Sequence, residues 1–131
     1  MVSFLRCSDR EIRQLTNIYT PDCLICVDPT LAKSVDIFSG LKPGGTLVQA
    51  TNKPLAEVAV SDAVATVGLC DAIGIALQIF SKPITNTLML GAFAKTTGIA
   101  SLEALQRSLE VNILLQSDPE LHHERFDVVE V

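Results

Sequence analysis

The chain has 131 residues, which is the size of a single typical domain. Hydrophobic residues make up 48% of the sequence and aromatic residues only 5%, so the core must be built mainly from aliphatic side chains. A formal net charge of −5 argues against nucleic-acid binding, which needs a basic surface, and against electrostatic docking on an anionic membrane. No signal peptide is visible, and acidic residues interrupt the most apolar region, residues 56–80. We therefore expect a cytoplasmic protein with reduced cysteines.

The first half of the chain predicts a strand–helix–strand unit. Residues 2–5 are a short strand candidate, and residues 23–27 ("CLICV") are a continuous apolar strand of the kind buried in a parallel sheet. Asp28 and Pro29 favour the start of a helix, which Gly40 would end. The apolar stripe of this helix would consist of Leu31, Val35 and Phe38. Residues 46–50 form the next strand, so the unit predicts parallel pairing of the two strands.

The second half predicts one more strand, residues 63–69, followed by three helices. The first helix must end before Pro83, and the second ends at Gly98. The predicted N-caps of the three helices are Asp71, Asn86 or Thr87, and Ser101. The apolar face of the last helix would consist of Leu102, Leu105, Leu109 and Ile113.

These elements together predict an α/β fold with three layers, α/β/α, around a mostly parallel sheet. Residues 1–115 would form the domain, and residues 116–131 would form a polar tail. The tail contains the only histidine pair, His122 and His123, with acidic neighbours. Adjacent histidines there could bind a metal ion, but a solvated tail is the favoured interpretation.

The cysteines Cys23 and Cys26 match the C-x-x-C pattern of redox and metal sites. Both lie inside a predicted buried strand, where side chains three positions apart point to opposite faces. A zinc or iron–sulfur site needs about four ligands, and the sequence has no second C-x-x-C. We interpret both as small core residues, with a thiol redox enzyme as the competing hypothesis.

Two aspartates directly follow predicted strands. Asp28 and Asp71 would lie at the carboxyl ends of the strands, where ligands bind in open α/β sheets. Asp is also a strong helix N-cap, and no phosphate-binding loop accompanies either residue. We favour the capping role and leave the ligand-binding role open.

Several segments together resemble the gamma subunit of 2-oxoacid:ferredoxin oxidoreductases, with the pyruvate-type enzymes (pyruvate synthase) fitting best. The resemblance extends over residues 2–109, and the blocks agree in order, spacing and identity. The matching positions are Pro21-Asp22, Asp28-Pro29-Thr30, Ser34-Val35, Gly40-Leu41, Asp71-Ala72, Ile75-Ala76-Leu77, Pro83-Ile84, Asn86-Thr87 and Met89-Leu90-Gly91-Ala92. Family members usually begin with a "GRGGQG"-like loop that this sequence lacks, so the resemblance implies an incomplete, N-terminally truncated version of the family domain.

The resemblance implies a reaction in which a 2-oxoacid, coenzyme A and oxidised ferredoxin give acyl-CoA, carbon dioxide and reduced ferredoxin. Thiamine diphosphate and iron–sulfur clusters are then expected in partner subunits, and the gamma part completes the assembly. We accordingly assign no catalytic, cofactor-binding or metal-ligating residue in this chain. The alternative is a non-enzymatic interaction module that self-associates or binds a partner through its apolar helix.

That apolar helix is the stretch "ITNTLMLGAFAKTTG", residues 84–98. Residues 88–94 carry no polar side chain over nearly two turns, which predicts burial on all sides. The small residues Gly91, Ala92 and Ala94 predict close approach of another backbone. We expect a core shared between the chain's own sheet and a partner subunit, which a bulky residue at Gly91 would disrupt.

Overall fold

The computed structural model describes residues 2–82, 85–110 and 126–130, and these residues build one sheet with helices packed on it. The strands are β1 (Ser3–Cys7), β2 (Cys23–Cys26), β3 (Gly45–Ala50), β4 (Val64–Cys70) and β5 (Phe126–Glu130). Their order across the sheet is β1-β5-β2-β3-β4. Strands β2, β3 and β4 run parallel, β5 is parallel to β2, and β1 is antiparallel to β5. The predicted α/β fold with a mostly parallel sheet is confirmed.

Strands β2 and β3 form the centre of the sheet because their sequences are apolar on both faces. All four residues of β2 are buried, and five of the six residues of β3 are buried as well. Such continuous apolar runs are typical of parallel strands covered on both sides. Strand β4 lies at the edge, where residues such as Ala65 and Thr66 remain exposed.

Three helices follow β4, as the sequence predicts: α1 (Ala72–Phe80), α2 (Asn86–Thr97) and α3 (Leu102–Glu110). The side chain of Ser101 accepts a hydrogen bond from the backbone N–H of Ala104 at 2.9 Å, which confirms Ser101 as an N-cap. Gly98 ends α2 with a φ of 68°, a left-handed conformation that glycine adopts at little cost. The N-cap predicted for α2, Asn86 or Thr87, lies one or two residues after the observed N-cap. Thr85 occupies that position, and its side chain makes no capping hydrogen bond.

The two faces of the sheet carry separate apolar clusters. On one face, Met89 and Phe93 of α2 and Ala72 of α1 pack against β2 and β3. On the other face, Ile37 and Leu41 pack against β2 and β3, and no described α-helix belongs to this cluster. In the described part of α3, Ala104 is buried and Leu102, which was expected on the apolar face, is 53% exposed. Of the other residues predicted for this face, the Leu109 side chain and Ile113 lie outside the described residues.

The helix predicted after Asp28 is wrong. The only regular structure between β2 and β3 is a 3-10 helix at Leu31–Lys33, and Val35, which was expected to face the core, is 54% exposed. The carboxylate of Asp28 bonds to Thr30, and Oδ1 of Asp36 accepts from the backbone N–H of Phe38 at 3.2 Å. Local side-chain–backbone bonds of this kind compete with a helix, and they explain why the segment is irregular.

The region expected to be a polar tail contributes a strand. Strand β5 pairs with β1 on one side and with β2 on the other, so it joins β1 to the parallel part of the sheet. The histidine pair lies outside the described residues. None of the described helices is long and apolar enough to cross a membrane.

Candidate functional site

The carboxyl ends of β2, β3 and β4 surround a cavity of about 560 Å³. Pro29 and Thr30 line it after β2, Gln49 and Thr51 line it at the end of β3, and Asp71 lines it after β4. This edge of a parallel sheet is where ligands bind in open α/β proteins. The cavity is therefore the candidate functional site among the described residues.

Gln49 is the most unusual residue of this cavity. It lies in β3, where its neighbours are apolar, and its side chain is only 6% exposed. Its Oε1 atom is buried and has no hydrogen-bond partner among the residues that the structure describes. A buried acceptor without a partner costs free energy, so a donor from outside the described residues would stabilise it.

Sequence reasoning missed Gln49. The available signal was a single amide side chain inside the otherwise apolar strand "TLVQA". Buried apolar strands rarely contain a polar side chain without a hydrogen-bond partner, so an amide near the end of such a strand is a candidate functional residue.

Asp71 occupies the N-terminus of α1 at the edge of the cavity. Its Oδ1 accepts a hydrogen bond from the backbone N–H of Gly74 at 3.0 Å, which confirms the predicted N-cap. A Cβ added at Gly74 would overlap this carboxylate, so a larger residue there would force the Asp71 side chain to shift. The carboxylate fills the place at the helix end where an anionic ligand would otherwise bind.

Charges of both signs surround the cavity. Lys33 lines it on one side and Lys53 on another, while Glu57 and Asp71 supply two carboxylates. The formal charges of these four side chains cancel. The cavity is therefore close to neutral, with apolar walls that include Ile73 and Leu77 of α1.

Asp28, the other aspartate singled out by the sequence, lies outside the set of residues that line the cavity. Its Oδ1 accepts hydrogen bonds from the backbone N–H of Thr30 at 2.9 Å and from the Thr30 hydroxyl at 2.7 Å. The hydroxyl bond, followed by the backbone bond, lowers the pKa of Asp28 below its ordinary value. The residue stabilises the turn after β2, but the predicted N-cap role is wrong, because Thr30 is the N-cap of the 3-10 helix that follows.

The cysteine pair lies where the sequence predicts, on opposite faces of β2. Cys23 belongs to the cluster beneath α2, and Cys26 belongs to the cluster on the other face, and both are fully buried. Burial, with a smaller contribution from the charge of Asp22, raises the pKa of Cys23 to about 12. Burial likewise raises the pKa of Cys26. Reactive thiols need the opposite environment, so the thiol redox hypothesis has no support in this geometry.

Metal sites also have no support in the described part of the chain. No group of three or more His, Cys, Asp or Glu residues there is close enough to hold a metal ion. None of the four cysteines forms a disulfide, and Cys7, Cys23 and Cys26 are buried as separate core residues. Thiolate ligation of an iron–sulfur cluster does not fit this arrangement.

Helix α1 exposes an apolar surface that the sequence analysis did not anticipate. Its buried residues are the small Ala72 and Ala76, while its large apolar side chains are between 36% and 62% exposed. These side chains are Ile73, Ile75, Leu77, Ile79 and Phe80. The helix carries no charged residue. An exposed apolar helix face of this kind marks an interaction surface.

Helix α2 is less buried than the sequence predicts. Met89, Phe93 and Ala94 face the core, but Leu90 is 40% exposed and Lys95 is also exposed. A Cβ added at Gly91 would meet no atom within 4 Å. No described backbone therefore approaches Gly91, and the close contact expected there does not form among the residues that the structure describes.

The comparisons with known proteins agree with this architecture. The sequence pattern of the family described as pyruvate ferredoxin/flavodoxin oxidoreductase matches residues 1–116. The chain is also similar to a solved structure, the pyruvate oxidoreductase subunit PORC from Thermotoga maritima, with a TM-score of 0.66 at 28% identity. That alignment covers 88% of this chain and 70% of the other.

Two curated relatives extend the comparison. The NADH-dependent phenylglyoxylate dehydrogenase subunit gamma of Aromatoleum evansii is 74% identical over 110 residues, which cover 84% of this chain and 58% of the relative. The pyruvate/ketoisovalerate oxidoreductases common subunit gamma of Thermococcus kodakarensis is 42% identical, over 84% of this chain and 60% of the relative. The chain thus spans somewhat more than half the length of these relatives. With the match to the family over most of its length, the chain belongs to the pyruvate ferredoxin/flavodoxin oxidoreductase family.

Proposed function

We propose that this chain supplies the gamma-type part of a 2-oxoacid oxidoreductase complex. The complex would oxidatively decarboxylate a 2-oxoacid, transfer the acyl group to coenzyme A and pass the electrons to ferredoxin. The observation that carries the proposal is the family match over residues 1–116, together with relatives that are themselves named as gamma subunits.

The role of the chain within the complex would be assembly. The pKa values of the buried thiols Cys23 and Cys26 are raised, and the described residues form no metal-ligand cluster. They do offer five exposed apolar side chains on the uncharged helix α1. Surfaces of this kind are buried between subunits of stable complexes. We therefore place catalysis in the partner subunits.

The cofactors would accordingly lie in those partners. Thiamine diphosphate would supply the carbanion chemistry of decarboxylation, and iron–sulfur clusters would carry the electrons. The buried cysteines of this chain, with raised pKa values, support the placement of the clusters elsewhere. We further propose that the complex is cytoplasmic, in keeping with the reduced cysteines.

A specific observation favours an aromatic 2-oxoacid over pyruvate. The relative named for phenylglyoxylate and NADH is 74% identical to this chain, whereas the relative named for pyruvate and ketoisovalerate is 42% identical. We propose phenylglyoxylate as the substrate to test first, with NAD as a terminal electron acceptor beside ferredoxin.

The test is purification of the complex from cells that express this chain with its partner subunits. The isolated complex should oxidise a 2-oxoacid only when coenzyme A is present, and phenylglyoxylate, pyruvate and ketoisovalerate should be compared with ferredoxin and with NAD as acceptors. A chain that self-associates but never joins subunits containing thiamine diphosphate or iron–sulfur clusters would contradict the proposal. That result would instead favour the non-enzymatic interaction module.

A further inference from the structure

Strand β5 occupies the position between β1 and β2 and pairs with both of them. It is antiparallel to β1 and parallel to β2, and β1 pairs with no other described strand. All four residues of β2 are buried, so a bare edge of β2 would leave backbone N–H and C=O groups unpaired in an apolar environment. The position between β1 and β2 therefore requires a strand.

The strand that fills this position lies outside the part of the chain that matches the family. The family pattern matches residues 1–116, which include β1 and β2 but not β5. The match with the gamma subunit of Aromatoleum evansii covers 58% of that relative, so the relative has much further sequence outside the match. Relatives that share β1 and β2 must fill the same position, and we infer that they do so with a strand from this further sequence.

Residues inside the match hold β1 at a distance from β2. The two strands are joined by residues 8–22, and the guanidinium of Arg6 in β1 donates hydrogen bonds to three backbone carbonyls of this connection, those of Gln14, Thr16 and Asn17. With one strand between them, β1 and β2 are about 10 Å apart, which is twice the usual spacing of neighbouring strands. The anchored connection therefore preserves room for exactly one intervening strand.

The sequence of β5 is unusual for a strand inside a sheet. Inner strands that run parallel to their neighbours are continuous apolar runs, as β2 is, whereas β5 has the sequence "FDVVE" with acidic residues at two of its five positions. Glu130 has Ser3 and Ile25 as its register partners, and neither of them is charged. We therefore expect an apolar strand to pair here more favourably than β5 does.

We propose that the position between β1 and β2 is an acceptor site for a strand from a separate polypeptide, and that this strand displaces β5. The occupant is an apolar strand from the sequence of a gamma-type relative outside the match. It pairs parallel to β2 and antiparallel to β1, as β5 does, so the order of the sheet is kept. The inference goes beyond the proposed function, because it depends on family membership and needs no other subunit of the complex.

A disulfide lock tests the displacement of β5. Ser3 and Glu130 are register partners in the antiparallel pair of β1 and β5, so Ser3→Cys combined with Glu130→Cys places two cysteines opposite each other. The probes are overlapping synthetic peptides that cover the sequence of the Aromatoleum evansii subunit outside the match. We expect one of them to bind the reduced double variant and to bind the oxidised form at least roughly tenfold more weakly. The two single variants, treated with the same oxidant, are the matched controls and should bind as the unmodified chain does.

Amide hydrogen exchange identifies where the peptide binds. The bound peptide should open the amides of residues 126–130 to exchange, while the amides of residues 23–26 stay protected. Ile79→Glu should leave the affinity unchanged, because α1 contributes no strand to this site. The inference is overturned if no peptide binds the unmodified chain, if the β5 amides stay protected in the bound state, or if the oxidised and reduced double variants bind equally. The proposed function stands in each of these cases, because assembly of the complex is measured separately.

Discussion

At the scale of single residues, burial decides what the cysteines can do. Cys23 and Cys26 share the spacing of a redox motif, yet the alternation of β2 places them in different apolar clusters. The environment of each thiol disfavours the thiolate, because charge is costly in an apolar cluster. The same sequence pattern at a helix N-terminus would have the opposite effect.

Cys23 is expected to resist alkylation in the native protein. With a pKa of about 12, its thiol stays protonated at about pH 8, where unfolded cysteines react. Iodoacetamide labelling followed by peptide mass spectrometry should modify Cys23 only after denaturation. The unfolded chain in denaturant serves as the control, and rapid labelling of Cys23 in the folded chain would contradict the burial described here.

The raised pKa of Cys23 also determines whether the free energy of unfolding rises or falls with pH. The unfolded chain loses the Cys23 proton near the ordinary value of 9.0, while the folded chain retains it up to about 12. The folded state binds more protons over this interval, so the free energy of unfolding should fall as the pH rises through it. Urea titrations across the interval measure the slope, and Cys23→Ala should show a shallower slope than the unmodified chain.

At the scale of elements, the packing of α2 on the sheet depends on a glycine in β4. A Cβ at Gly68 would overlap Oγ1 of Thr96, and the Cβ and Cγ2 atoms of Thr96 are close as well. Thr96 is β-branched and has few alternative rotamers, so the helix itself would have to move. This close approach of helix and strand occurs at Gly68, whereas the sequence analysis expected it at Gly91.

Gly68→Ala should therefore destabilise the fold by about 1–3 kcal/mol, the usual cost of overpacking. Chemical denaturation of the isolated chain measures the change. The double variant Gly68→Ala with Thr96→Ala should recover part of the loss, because it removes two of the three overlapping atoms. Equal stability of Gly68→Ala and the unmodified chain would show that α2 does not lie this close to β4.

Substitution of Gly91 by alanine should have the opposite effect on stability. A Cβ there meets no described atom, so Gly91→Ala should raise the stability of the isolated chain by up to about 1 kcal/mol through helix propensity. Gly91→Leu should still weaken assembly if a partner packs on α2, as the sequence analysis proposes. Thermal unfolding tests the first effect and affinity for the remaining subunits tests the second. Unchanged complex formation by Gly91→Leu would contradict a core shared with a partner subunit at this position.

At the scale of the whole molecule, the balance of buried and exposed apolar surface predicts association. The nine residues of α1 bury only two alanines and expose five large apolar side chains. Strand β4 is an edge strand, and one side of its backbone is paired by no described strand. Exposed apolar faces and unpaired edges both promote association.

We expect the isolated chain to self-associate at high concentration, and Ile79→Glu to reduce this association. Ile79 is 62% exposed, so the substitution should leave the fold intact while it places a charge on the apolar helix. Size-exclusion chromatography with light scattering measures the shift towards monomer. Val35→Glu is a suitable control, because Val35 is 54% exposed in a segment far from α1 in sequence. A monodisperse unmodified monomer at high concentration would contradict the expectation.

Local features that depend on near neighbours could be predicted from the sequence alone. The buried strand at Cys23, the cap at Asp71 and the helix end at Gly98 follow from alternation, capping chemistry and backbone freedom, and all three are confirmed. The family could also be inferred from the sequence, because blocks of residues match in order and spacing. These features need no knowledge of distant parts of the chain.

Which apolar surfaces are covered depends on contacts between distant parts of the chain, so the folded structure was needed to identify them. The apolar stripe expected after Asp28 does not form on a helix, because local hydrogen bonds favour an irregular segment whose Ile37 and Leu41 pack on the sheet instead. The insertion of β5 between β1 and β2 is a long-range pairing that composition does not reveal. The cavity at Gln49 likewise forms only when three separate segments of the chain come together. The missing hydrogen-bond partner of Gln49 Oε1 therefore cannot be recognised from the sequence. Burial depends on how the whole sheet assembles, so no local sequence pattern can predict it.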